Sequence, residues 1–409
     1  MLSFRNNTET WLKGFLYYLS EMIRTFLLFS VLQSSVTMAQ LNSEPIIGIT
    51  TGPLSFLKYG LGEDRLGGAK MTYLDSNIII RVVDSVKNDY KIELSKNHFA
   101  YLPKENFKKD SSVKFHSYYL TNSWRVYGDD KYDYVTISLD ERLPYRSIQQ
   151  IDPARIVIDI FGVTSNTNWI TQLSTVKEIK NTWYEQIEDD VFRVYIELKH
   201  NQHWGYYIFY DNKKLIIRVK RQPLIPVLSK LKVAVDAGHG GENIGASGVS
   251  GNIAEKNYTL KIAKELEKSL KKEKAQVFMT REKDTTLSMI ERTEMLRQWD
   301  PDFLISIHLN SGNNDTTSGV STYYRYIGFR PLTQFILKRM KELGLKEYGN
   351  VGSFNFSLSG PTEYPNCLVE VAFLSNRQDE KRILSPVFQK AVAAKIVAGI
   401  KDWLRSLKK

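Results

Sequence analysis

Val235-Asp236-Ala237-Gly238-His239-Gly240-Gly241-Glu242-Asn243-Ile244-Gly245-Ala246 follows directly on an apolar run at residues 232–235. Downstream, strand-like runs at residues 275–279, 303–307, 320–324 and 367–371 alternate with helical stretches at 258–271, 287–298, 331–343 and 386–407. In the first of these helices Leu260, Ala263, Leu266 and Leu270 share one face at near-3.6 spacing. Such alternation predicts an α/β domain over residues 230–409, with a mostly parallel sheet flanked by helices.

Upstream the pattern changes. Ile78-Ile79-Ile80-Arg81-Val82-Val83, Val135-Thr136-Ile137-Ser138-Leu139 and Ile156-Val157-Ile158-Asp159-Ile160 are short and β-branched. Phe192-Arg193-Val194-Tyr195-Ile196-Glu197-Leu198 alternates apolar with polar, as a strand with one solvated face does. The N-terminal region is therefore expected to be all-β, as one or two small sandwich or barrel modules at residues 45–110 and 112–222. Residues 221–230, with Pro223 and Pro226, form the expected linker.

A chain of 409 residues exceeds one ordinary core, and 42% apolar with 25% charged residues is the balance of a globular protein. The net charge of +11 favours anionic surroundings, yet no arginine-rich segment or nucleic-acid module accompanies it. Nucleic acid is not an expected partner. Cys367 is the lone cysteine, which excludes an intramolecular disulfide and a thiolate metal cage. Met22-Ile23-Arg24 leads into Phe26-Leu27-Leu28-Phe29-Ser30-Val31-Leu32, and Val36-Thr37-Met38-Ala39 then supplies small residues. A positive start, a short apolar core and small residues at −3 and −1 predict a signal peptide over residues 1–39, cut after Ala39. Residues 1–21 would be an extension ahead of a true start at Met22. The apolar run is short of the ~20 residues of a membrane span, with a retained N-terminal anchor as the alternative. Secretion across the inner membrane into the periplasm is the expectation.

Gly238 and Gly240 fit the start of a dinucleotide fingerprint, but Asn243 stands where its third glycine belongs. The glycines instead let backbone pack closely around a ligand-bearing histidine, His239. His308, in Leu304-Ile305-Ser306-Ile307-His308-Leu309-Asn310, ends a second apolar run. Two histidines at the carboxyl ends of strands in one parallel sheet open into the same crevice. Glu255, in Ile253-Ala254-Glu255-Lys256-Asn257, opens the first helix, where the helix dipole would also favour a cap-like carboxylate. A lone histidine is more often a hydrogen-bonded core residue, but two imidazoles with one carboxylate make a catalytic zinc set.

Glu370 interrupts the apolar run Cys367-Leu368-Val369-Glu370-Val371-Ala372-Phe373. A carboxylate there must be neutralised, paired or facing a site. Beside a metal it would act as general base; a structural ion pair is the alternative. His200 and His203, an H-x-x-H pair between two strands without an acidic or cysteine neighbour, read as a solvated turn.

Together these motifs resemble the zinc-dependent N-acetylmuramoyl-L-alanine amidases over roughly residues 230–407. The resemblance takes in the Gly-His-Gly-Gly loop at 238–241, Glu255-Lys256-Asn257, Thr280-Arg281 with Asp284, and Arg292. It continues through Ser306-Ile307-His308-Leu309-Asn310 and Leu368-Val369-Glu370 with Phe373-Leu374-Ser375-Asn376. It departs at Lys346-Glu347-Tyr348-Gly349-Asn350, where the family commonly carries an Arg-Gly pair. The likeness implies His239, Glu255 and His308 as ligands of Zn2+ and Glu370 as the catalytic glutamate. It implies peptidoglycan as substrate, cut between N-acetylmuramic acid and L-alanine. Residues 112–222 resemble the AMIN module that often precedes such amidases and is thought to bind peptidoglycan; residues 45–110 resemble a bacterial SH3-type barrel. A zinc peptidase acting within the stem peptide and a catalytically dead wall-binding protein stay open as alternatives. Two further expectations follow. Residues 41–222 should tether the enzyme and be dispensable for chemistry. The cleft should be open, because residues 325–330 are too few for the covering helical insertion that some family members carry.

Overall fold

The computed structural model describes residues 44–62, 66–251 and 253–408, so the expected signal peptide lies outside the described residues. The C-terminal domain runs β1 (Lys232–Ala237), α1 (Glu255–Lys272), β2 (Gln276–Met279), α2 (Met289–Trp299) and β3 (Phe303–Asn310). It continues with β4 (Val320–Tyr323), α3 (Arg330–Met340), β5 (Glu347–Val351), β6 (Asn366–Phe373), α4 (Arg377–Leu384) and α5 (Pro386–Ser406). One sheet has the order β2-β1-β3-β6-β4-β5.

β1 and β3 are buried on both faces, which is why they read as unbroken apolar runs. Val233, Val235, Ile305 and Ile307 point to one side, against Ile262 and Leu266 of α1 and Ile396 and Ile400 of α5. Ala234 and Leu304 point to the other, where Leu296 of α2 meets them. Helices thus cover both faces.

The expected parallel pairing holds for four of the five neighbouring strand pairs and fails at one. β2, β1, β3 and β6 pair in parallel, and β4 with β5 likewise, but β4 runs antiparallel to β6. The reason is the connection. Residues 311–319 between β3 and β4 hold no helix, and so short a link cannot return the chain to the far end of the sheet for a parallel start.

The N-terminal region is all-β apart from short 3-10 turns. Seven antiparallel strands between Ile46 and Lys109 form one sheet. Residues 119–220 add two further sheets, whose inner faces share Ile137, Ile156, Ile158, Val194, Ile196 and Ile217, all fully buried. Leu57, Ile80, Ile92 and Leu102 of the first sheet belong to that same core. The boundary expected near residue 110 is therefore not a break in packing.

Nor is the AMIN-like region loosely tethered. Arg221, in the expected linker, pairs with Asp133 at 2.7 Å. Trp204 stacks on Trp403 of α5, and Lys220 pairs with Asp300 at the end of α2. His203 departs from the solvated-turn expectation: it is 1% exposed, bonds Gln150 O through Nε2 and abuts Gly328 of the C-terminal domain. His200 keeps the partly solvated character expected of it, but it has an acidic partner, Glu178, at 2.7 Å.

Candidate metal centre

β1 and β3 end side by side, Ala237 opposite Ile307, so His239 and His308 leave the sheet at the same edge. α1 begins at Glu255 and carries that carboxylate into the gap between them. The three side chains bring their ligand atoms within 4.8 Å of one another. His239 Nε2 lies 3.0 Å from Glu255 Oε2, and His308 Nδ1 lies 3.1 Å from Glu255 Oε1.

Second contacts fix each group. Gly245 N–H donates to Asn243 Oδ1 (3.2 Å), so that oxygen is an acceptor, and His239 Nδ1, 2.9 Å away, carries its ring proton toward it. His239 Nε2 faces a carboxylate oxygen of Glu255. A proton on the ring or a divalent cation can bridge a pair so close. Glu255 is held by Ala246 N–H (2.8 Å) on Oε2 and Leu309 N–H (2.9 Å) on Oε1. Burial opposes its ionisation, yet hydrogen bonds and charge from the two histidines keep its carboxyl well below the usual carboxylate range. For His308, burial favours the neutral ring but Glu255 outweighs it and raises the pKa. His308 Nε2 is buried with no hydrogen-bond partner among the described residues.

The cradle demands glycine. A Cβ on Gly238 would sit 2.4 Å from the His308 ring, and one on Gly245 would sit 2.5 Å from Glu255 Oε2. Two imidazoles and a carboxylate converging in such a cradle fit a zinc-type donor set with a position left open.

His239 itself has φ +61°, a left-handed conformation costing a non-glycine residue on the order of 1–3 kcal/mol. Two buried arginines hold that turn. Arg281 donates to Ala237 O and Gly238 O, both at 2.9 Å, and to Lys256 O at 2.8 Å. Arg292 donates to Ala237 O (3.0 Å) and His239 O (2.6 Å). Its charge is answered at 2.5 Å by Asp236, which also accepts from Thr280 and Ser306, both at 2.7 Å. Farther out, Lys256 bonds Gly241 O and Asp284, each at 2.7 Å.

Glu370 lies on β6 in register with His308 and with Ser321 of β4. Its charge contributes to the raised pKa of His308 and to that of Tyr323. All four residues singled out in the sequence thus gather at one edge of the sheet.

Residues 233–402 match the family model described as N-acetylmuramoyl-L-alanine amidase. The domain belongs to that family. Residues 124–219 match the AMIN domain model. The probable cell wall amidase LytH of Staphylococcus epidermidis is 33% identical over 175 residues, 42% of this chain and 58% of that protein. Its counterpart in Staphylococcus saprophyticus is 31% identical over 190 residues, 46% of this chain and 64% of that protein. The chain therefore spans 58% and 64% of the length of these curated relatives. Among solved structures, the catalytic domain of CwlV, an N-acetylmuramoyl-L-alanine amidase from Bacillus (Paenibacillus) polymyxa var. colistinus, is 32% identical. That likeness covers 43% of this chain and 98% of that one, with a TM-score of 0.41.

The amidase domain also holds residues that sequence reasoning missed. Asn243 broke the dinucleotide pattern, and it is the side chain that orients His239. Phe356 packs edge-on against His308 at 5.4 Å, and Tyr323 hydrogen-bonds Asn310 and Ser321 beside Glu370. Neither aromatic lies in a recognisable motif.

Proposed function

We propose that this chain is a zinc-dependent peptidoglycan hydrolase that cleaves the amide bond between N-acetylmuramic acid and the L-alanine of the stem peptide. The observation that carries it is the convergence of His239, Glu255 and His308, with Glu370 in register beside His308. A zinc ion held by those three residues would supply Lewis-acid polarisation of the scissile carbonyl and of the attacking water. Glu370 takes a proton from that water as its oxygen adds to the carbonyl carbon. The same carboxyl then returns the proton to the alanine nitrogen as the C–N bond breaks. Asn243 and the two buried arginines keep His239 in its strained turn throughout.

The wall lies outside the cytoplasm, and the relatives named as cell wall amidases support an extracytoplasmic site of action. Residues 1–39 as signal peptide, the periplasm as compartment and residues 112–222 as a peptidoglycan tether complete the proposal. Mass spectrometry of digested peptidoglycan tests it. Free stem peptides with an intact N-terminal alanine are expected. Shortened peptides would make the protein a peptidase, and absence of products a wall binder.

A further inference from the structure

The first β-sheet was expected to be irrelevant to chemistry, but it touches the loop that packs on a metal-site histidine. Residues 352–357 leave β5 and pass beside His308. Phe354 tilts against Tyr323 at 4.5 Å, stacks toward Phe356 at 6.2 Å, and Phe356 meets the His308 ring at 81°. Asn355, between the two phenylalanines, faces the other way. Its Nδ2 donates to Leu66 O (3.2 Å) and Gly68 O (3.0 Å), and its Oδ1 accepts from Lys70 N–H (3.1 Å). Arg325, just beyond β4, donates to Lys70 O and reaches Asn355 Oδ1 at 3.5 Å. Tyr73 OH adds a contact to Ser357 O at 3.4 Å.

The loop needs this outside support. Ser353 sits at φ +54°, a strained conformation for a side chain-bearing residue. Phe354 and Phe356 are only half-buried. The amide of Asn355 satisfies two carbonyls and one N–H of another module, a match that fixes its position along the chain. Because neighbouring side chains alternate, fixing Asn355 fixes the phenylalanines on either side.

We propose that the N-terminal β-sheet positions the active-site loop, with residues 66–70 gripping Asn355 and thereby seating Phe356 against His308. Asn355 is a positioning residue, acting through Phe356 rather than on substrate. The proposal rests on the amidase function above, and the experiment separates the two.

The test uses the full chain with Asn355→Ala and, as a second variant, Asn355→Asp. The aspartate still accepts from Lys70 N–H but sets a charged oxygen against two carbonyls. Zinc content, kcat and KM on a soluble disaccharide-peptide, and hydrogen exchange of residues 350–358 and 66–74 are measured. The visible spectrum of the cobalt(II)-substituted protein reports ligand geometry without turnover. Both variants are expected to bind metal in full, to exchange faster in both segments and to shift the cobalt bands. Their kcat should fall about 10- to 100-fold, the scale of a small misplacement at a reacting centre. An unchanged cobalt spectrum with kcat within about twofold of the parent overturns the proposal. So does faster exchange confined to residues 350–358. If the parent protein takes up cobalt but releases no stem peptide, the amidase function fails, while the cobalt spectra and exchange still decide whether the sheet seats the loop.

Discussion

His203 offers a pH dependence that can be worked out before it is measured. The ring is 1% exposed at the seam between the AMIN-like region and the catalytic domain. Nε2 donates to Gln150 O at 2.7 Å, and Nδ1 has no hydrogen-bond partner among the described residues. Protonating Nδ1 would bury a charge with nothing to accept it, so burial pushes the pKa from 6.5 down to about 4. The folded state then binds fewer protons than the unfolded state between those two values. Stability is complete above about pH 6.5, declines as pH falls toward 4 and levels off below. From this one residue the loss is about 2 kcal/mol by pH 5 and about 3.5 kcal/mol at its limit. His203→Gln keeps a donor near the Nε2 position and removes the titration. Urea unfolding, followed by tryptophan fluorescence because Trp204 and Trp403 stack at this seam, should be compared at about pH 7.5 and pH 5. The parent should lose about 2 kcal/mol more than the variant. Parallel pH profiles would refute the reasoning and mean that water or a local opening reaches the ring.

Three further outcomes are expected at the site. Metal analysis should find one zinc per chain, and His239→Ala should abolish it; full zinc with full activity would remove His239 from the ligand set. Glu370→Gln should keep zinc and lose about 10²–10⁴ in rate, as removal of a general base does; zinc lost with it would make Glu370 a ligand. Arg292→Met leaves Asp236 buried and unpaired and should cost about 3–5 kcal/mol in urea unfolding, a loss absent from an exposed control such as Lys268→Met.

The histidines and Glu370 were legible because apolar runs locate parallel strands, and parallel strands deliver their carboxyl ends to one edge. Glu255 was placed at a helix entry, although the helix begins there rather than at residue 258. What escaped was whatever periodicity does not mark. β5 has no apolar run, because Glu347 and Tyr348 are exposed at the sheet edge. α4 spans eight residues behind its Asn376 cap, too short to show a face. The antiparallel β4 depends on connection length, which apolar patterning does not encode. His203 was misread for a related cause: a polar turn is solvated only if nothing docks on it, and docking is a property of the whole chain. Asn355 escaped for the same reason, since its partners lie 285 to 289 residues away.

The expectation of an open cleft can now be argued from structure. Six residues, 324–329, join β4 to α3, and three of them, Ile327–Phe329, form a 3-10 turn. As a helix, six residues would rise about 9 Å, too little to cross a cleft. The turn is also committed elsewhere. Gly328 N–H donates to Gln149 Oε1 (2.9 Å), and Gly328 O accepts from Gln202 Nε2 (2.7 Å), so it is pinned to the AMIN-like region. Arg325 is tied to Lys70 and Asn355. The His239 side chain remains 22% exposed while Glu255 and His308 are buried behind it, so the centre is reached from the His239 side. The N-terminal region braces the flank of the site without burying that approach. The full chain should therefore hydrolyse a small soluble muropeptide with no added protein. Turnover that begins only after a partner is supplied, or after proteolysis within residues 221–230, would show that another element closes the His239 side and would overturn the argument.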